Sequence, residues 1–204
     1  MSLALKHNHA QKSPFAEKRK FTYNDYLCWP DDVRVEIIRG VAYMMSPPFT
    51  SHQKISMLLS QRFANFLAGK TCQVFAAPFG VRLFPKEDQS DDTVVEPDIV
   101  VICDPSKIDE RGCNGAPDLI IEILSPSTKR KDKYLKRELY QKAGVREYWI
   151  VSADDKEIET HLFEQNSMKV FGVNDEETPD DSKLPEVFNA SVLAGLEVDV
   201  KDVF

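Results

Sequence analysis

The segment Leu119-Ile120-Ile121-Glu122-Ile123-Leu124 places an acid inside an otherwise apolar run, bounded by Pro117 and by Ser125-Pro126. The run is short and rich in β-branched residues, so it reads as a strand buried on both faces. An ionised carboxylate there costs several kcal/mol, roughly, unless it is paired or binds a metal. A second run, Val94 to Ile102, repeats the arrangement with Glu96-Pro97-Asp98 at its centre. Two such strands side by side would bring two acids to one divalent cation.

With 204 residues the chain is most simply one domain, spanning 21–204, behind a polar, flexible tail from Met1 to Lys20. No apolar stretch reaches the length of a membrane span, and the N-terminus lacks the apolar region of a secretory signal. A cytoplasmic protein without a membrane partner is expected. Cys28, Cys72, Cys103 and Cys113 are scattered with no Cys-x-x-Cys pair, so they read as packing residues, not as a disulfide framework or a zinc site. His7, His9, His52 and His161 are equally dispersed.

A formal net charge of −7 argues against a protein that coats nucleic acid, but not against an enzyme that acts on it. The charge is polarised. Lys129, Arg130, Lys131, Lys133, Lys136 and Arg137 crowd the segment after the Glu122 run, while acids gather in Glu87 to Asp92 and Asp175 to Asp181.

Thr22 and Asp25 have the spacing of a capped short helix. Val35 to Met45 predicts a strand or hairpin turning at Gly40, and Ser51 to Leu67 an amphipathic helix ended by Gly69. Val74 to Phe84 is a second β region. After the Val94 and Leu119 strands, Thr128 to Lys142 predicts a helix stopped by Gly144. Glu147 to Val151 is the next strand, so this piece is a parallel strand-helix-strand unit. Glu157 to Phe163 and Met168 to Val173 suggest an appended hairpin.

Period two puts Asp118, Ile120, Glu122 and Leu124 on one face of their strand. Asp118 lies roughly 13 Å from Glu122, too far to share an ion, whereas Asp98 on a neighbouring strand would lie within about 5–6 Å. Asp98 and Glu122 are therefore the expected metal ligands, and their hard oxygens suit Mg²⁺ or Mn²⁺. In the helix, Lys129, Lys133, Lys136 and Tyr140 fall on one side and Leu135 and Leu139 on the core side. Lys136 is best placed to reach inward, and Lys129 and Lys133 are candidates for phosphate binding.

Pro97-Asp98, then Glu122, then Lys136 on a helix resembles the PD-(D/E)xK nuclease superfamily. More closely, Glu122-Ile123-Leu124-Ser125-Pro126-Ser127-Thr128, Lys136-x-x-x-Tyr140 and Gly144-Val145-Arg146-Glu147-Tyr148-Trp149 resemble the Uma family of restriction endonucleases. So do Glu36-Ile37-Ile38-Arg39-Gly40 and Ser46-Pro47-Pro48 followed by His52. The resemblance runs in order from about Phe21 to Val151. It implies a restriction-endonuclease-like α/β (α+β) core with a central mixed sheet flanked by helices. It further implies metal-dependent phosphodiester hydrolysis by Asp98, Glu122 and Lys136, with Glu36 as an additional acid. His52 and Tyr140 are second candidates. The chain departs from the superfamily pattern at Leu124, where a lysine is usual, and the helix lysine stands in its place.

Plainer roles are open for each residue. Glu122 could pair with a basic residue of the next helix, Asp98 could hydrogen-bond a turn, and Glu36 could pair with Arg34 or Arg39 at the surface. The expected function is a Mg²⁺-dependent endonuclease acting on DNA, possible as a homodimer. The alternative is a non-catalytic nuclease-fold module that binds protein or nucleic acid, and a metal hydrolase for a small phosphorylated molecule is a third option.

Overall fold

In the computed structural model the described residues are 20–30, 33–174, 178–179 and 182–204. The expected tail lies outside them except for Lys20, as does most of the acidic stretch 175–181. The short helix α1 (Tyr23–Tyr26) forms as its cap spacing predicts: the Thr22 amide and hydroxyl both donate to Asp25 Oδ2, at 2.8 and 2.9 Å. Strands β1 (Val35–Ile38) and β2 (Val41–Met44) make the hairpin. Its two turn residues, Arg39 and Gly40, both have positive φ, the geometry that matches strand twist in a two-residue hairpin. Helix α2 (Thr50–Leu67) buries Ile55, Leu59, Phe63 and Leu67 at spacings of four.

Two of the predicted β regions divide. Val74 to Phe84 becomes β3 (Gln73–Ala76) and β4 (Gly80–Arg82), which belong to different sheets. Val94 to Ile102, expected as one strand, is β5 (Val94–Val95) in one sheet and β6 (Ile99–Ile102) in another. Pro97 offers no N–H to a ladder, and the chain passes between sheets at Glu96-Pro97-Asp98. Strands β7 (Ile108–Asp109), β8 (Gly112–Asn114) and β9 (Leu119–Ile123) follow. A π-helical turn, Lys131–Lys136, then runs into α3 (Arg137–Ala143), which ends at Gly144 in the left-handed conformation. Next come β10 (Glu147–Ser152), β11 (Glu157–Leu162), β12 (Ser167–Gly172), β13 (Val187–Asn189) and β14 (Glu197–Asp199).

Among the described residues one six-stranded sheet has the order β2-β1-β5-β4-β8-β7 and a second, the central mixed sheet, β12-β11-β10-β9-β6-β3. In the central sheet β9 and β10 are parallel, as a strand-helix-strand unit requires, and the β11–β12 hairpin is appended at one edge. Alternate residues sort its core into two faces. Ile99, Val101, Leu119, Ile121, Trp149 and Val151 pack with α2. Val100, Ile102, Ile120, Tyr148 and Ile150 pack with Leu139 and Tyr140 of α3. By that alternation Glu122 points to the α3 side.

The reading of all four cysteines as packing residues is corrected. Cys72 and Cys103 form a disulfide. They flank the antiparallel β3–β6 pair Gln73↔Ile102, so register brings together two residues that sequence spacing keeps 31 apart.

Candidate active site

The β6–β9 ladder pairs Val101 with Leu119, Val100 with Ile120 and Ile99 with Ile121, and Asp98 and Glu122 are the next residues beyond its last pair. Asp98 stands one residue before β6, where the ladder ends, and its Oδ2 accepts the Ile123 amide at 2.7 Å. The same oxygen lies 3.2 Å from His52 Nε2, in the first turn of α2. Burial alone would pull the His52 imidazole down, but the hydrogen bond and charge of Asp98, with help from Asp132, raise its pKa overall.

Glu122 meets the helix. Its Oε1 accepts Lys136 Nζ at 2.8 Å and Tyr140 Oη at 2.5 Å. Lys136, 2% exposed, also reaches Glu36 Oε1 at 2.6 Å and lies 3.7 Å from Asp132 Oδ1. Glu36 is fully buried on β1, so the surface pairing with Arg34 or Arg39 does not occur; those arginines hold Glu96 and Glu138. Instead Glu36 Oε2 takes Lys131 at 2.8 Å, while Oε1 takes both Lys136 and the Glu96 amide.

One ammonium shared among three acids cannot satisfy them equally. Burial would raise Glu36, but Lys136 and Lys131 outweigh it and hold Glu36 below the usual range. Glu122 is raised well above that range: burial dominates, Lys136 offsets part of it, and the charges of Asp132, Asp98 and Glu36 add to it. Glu36 has two ammonium groups on it, Lys131 and Lys136, whereas Glu122 has Lys136 alone. Asp132 is likewise raised by burial, and its Oδ1 has no hydrogen-bond partner. His52 Nδ1 is a second buried atom without one.

The helix face differs from the expected one. In an α-helix residues five apart are separated by about 140° around the axis. The i→i+5 bonding of the π turn brings such residues nearer one another, and Lys131 and Lys136 both meet Glu36. Lys129 and Lys133 turn away from the carboxylates, to Asp155 at 3.5 Å and Glu159 at 3.2 Å. Sequence reading thus missed Lys131 and Asp132. Asp132 carries one usable signal, its four-residue spacing to Lys136.

Glu159 also meets His161 Nε2 at 2.6 Å. The His161 bond is the main cause that lowers its pKa to about 2, against burial and with Lys133 assisting. A depressed acid stabilises the fold above its unfolded pKa and loses that contribution as pH falls through the folded value. Glu159→Gln is expected to cost about 1 kcal/mol at pH 7, given the pair's partial exposure. Unfolding in urea should show the gap to wild type narrowing below pH ~5 and closing near pH 2.

The fold and the buried acid–lysine cluster between sheet and helix define a restriction-endonuclease-like protein. A solved structure described as "a putative nuclease belonging to DUF820", from Anabaena variabilis, matches with TM-score 0.66 at 23% identity, covering 90% of this chain and 97% of that one. That likeness shows the shared fold. An uncharacterized protein of Synechocystis is 29% identical over 156 residues, covering 75% of this chain and 78% of its own length. Residues 23–197 match the family described as "Uma2: Putative restriction endonuclease", and the chain belongs to that family. Among the described residues no helix is long and apolar enough to cross a membrane.

Proposed function

We propose that the protein is a metal-dependent endonuclease that hydrolyses phosphodiester bonds in DNA. The observation that carries this reading is that Asp98 and Glu122 both stand one position beyond the last β6–β9 pair, Ile99 with Ile121, with Asp98 Oδ2 on the Ile123 amide. Around that pair four carboxylates (Glu36, Asp98, Glu122 and Asp132) face two ammonium groups, Lys131 and Lys136. The all-oxygen donor set of Asp98 and Glu122 suits Mg²⁺ or Mn²⁺. Asp132 Oδ1 is buried beside them without a hydrogen-bond partner, 3.7 Å from Lys136 Nζ.

Such an ion would supply polarisation of a phosphoryl oxygen and a more acidic water. Asp98 and Glu122 would hold it, through the oxygens not engaged by Ile123, His52, Lys136 and Tyr140. His52 fixes the Asp98 carboxylate from α2, while Lys136 and Tyr140 fix that of Glu122 from the helix. Lys136 acts as internal counter-ion. Lys131, with an 18% exposed side chain, is the cation of the cluster that faces solvent most and is suited to meet a substrate phosphate.

The test uses plasmid and oligonucleotide DNA with Mg²⁺, Mn²⁺ or chelator. Cleavage by wild type is expected to need the ion and to fall about 100-fold or more in Glu122→Gln and Asp98→Asn, the loss of a metal ligand being at least as costly as that of a supporting contact. Cleavage that survives both substitutions removes the assignment. A second reading, a non-catalytic binding module, is favoured by Lys136 itself, which sits among the acids as a resident cation. Consistent with it, no three His, Cys, Asp or Glu side chains among the described residues are grouped to hold a metal ion.

A further inference from the structure

We propose that the outward side of the π/α3 helix, carrying Arg130, Tyr134 and Arg137, is a track for a DNA strand, with backbone phosphates on the two guanidinium groups and an unpaired base on the tyrosine ring. It rests on the nuclease reading and adds where the substrate lies and in what form. Burial fixes the sides of the helix: Asp132, Lys136, Leu139 and Tyr140 are buried, whereas Arg130, Tyr134 and Arg137, at spacings of four and three, are exposed.

The charges of this helix are mostly consumed by neighbours. Lys129 pairs with Asp155, Lys133 with Glu159, Lys142 with Glu138, and Lys131 and Lys136 with Glu36. The Arg130 and Arg137 side chains make no hydrogen bond or ion pair with the described residues. In a chain with 33 acidic and 26 basic residues, a pair of uncompensated guanidinium groups on one exposed helix side is selective. Their planar forks match phosphate oxygens in a bidentate way that lysine cannot reproduce.

Between them Tyr134 is 65% exposed. An exposed ring flanked by arginines is the combination that binds single strands, the ring stacking on a base and the cations following the backbone. Arg130 adjoins Lys131, the more exposed of the two lysines on Glu36, and the same helix begins just after the strand that carries Glu122.

The test is fluorescence anisotropy with a labelled single-stranded 20-mer and the matching duplex, over a salt series, with Ca²⁺ in place of Mg²⁺. Arg130→Ala/Arg137→Ala is expected to weaken both complexes about tenfold. On the single strand it should reduce the salt slope by about 1.4, from two phosphate contacts at ~0.7 each. Tyr134→Ala is expected to weaken the single strand about tenfold and the duplex less than threefold. All three side chains are exposed, so thermal melting should match wild type.

If wild type binds and the double variant binds equally well, the track is wrong and the nuclease reading stands. Equal loss on both probes in Tyr134→Ala would overturn the unpaired base. A change in oligomer mass by light scattering without a change in DNA binding would make this face a subunit contact and overturn the proposal. A wild-type protein that binds neither probe would overturn the track and DNA hydrolysis together.

Discussion

Lys136→Met is expected to destabilise the protein by about 3–5 kcal/mol, the cost of leaving buried charge without its partner. Lys136 has three carboxylates within 3.7 Å, and methionine can fill its volume but not oppose their charge. Lys131 keeps Glu36 partly compensated through Oε2, so the loss should fall mainly on Glu122 and Asp132, the two acids already raised. Adding Glu122→Gln to Lys136→Met is expected to recover part of the loss by removing one stranded charge. Urea unfolding of both single variants and the double variant measures the coupling. A Lys136→Met protein within 1 kcal/mol or so of wild type would mean the cluster is wetter or more weakly charged than its burial indicates.

Removing the Cys72–Cys103 bridge is the other large effect. It closes a segment 31 residues long that contains β4 and β5 and ends just past β6, the strand that Asp98 precedes. Chain-entropy reasoning for a loop of that length gives about 3–4 kcal/mol, lost when the unfolded chain regains its freedom. Cys72→Ser/Cys103→Ser is expected to show that loss in urea, and reducing agent should bring wild type to the same midpoint while leaving the double variant unmoved. Thiol titration of unfolded, unreduced wild type should find only Cys28 and Cys113. Four free thiols, or a midpoint insensitive to reductant, would contradict the bridge.

The sequence made the strand content of the site legible but not the helix. Glu122 could be placed because period two holds along a strand, and Asp98 could be paired with it because one ladder separates them. Gly144 announced its helix end. The Val94 to Ile102 run was read as continuous although Pro97 carried the warning, since a residue without an N–H interrupts a central ladder. The π turn left no mark: i→i+5 bonding needs no special composition, so α-helical spacing put Lys129 and Lys133 beside Lys136 when Lys131 belongs there. Asp132 lies within Lys131-Asp132-Lys133-Tyr134 and reads as part of a solvated face until burial is known. Cys72 and Cys103 became partners only through the β3–β6 register.

Mn²⁺ calorimetry on wild type, Glu122→Gln and Asp98→Asn, with circular dichroism to verify folding, addresses the convergence of these two acids on one hard ion without relying on turnover. One Mn²⁺ per chain in wild type, weakened at least about tenfold in each folded variant, is the expected result. Binding unchanged in both variants, or no heat of binding in wild type, would contradict it and leave the lysines Lys131 and Lys136 as the charges that oppose these acids.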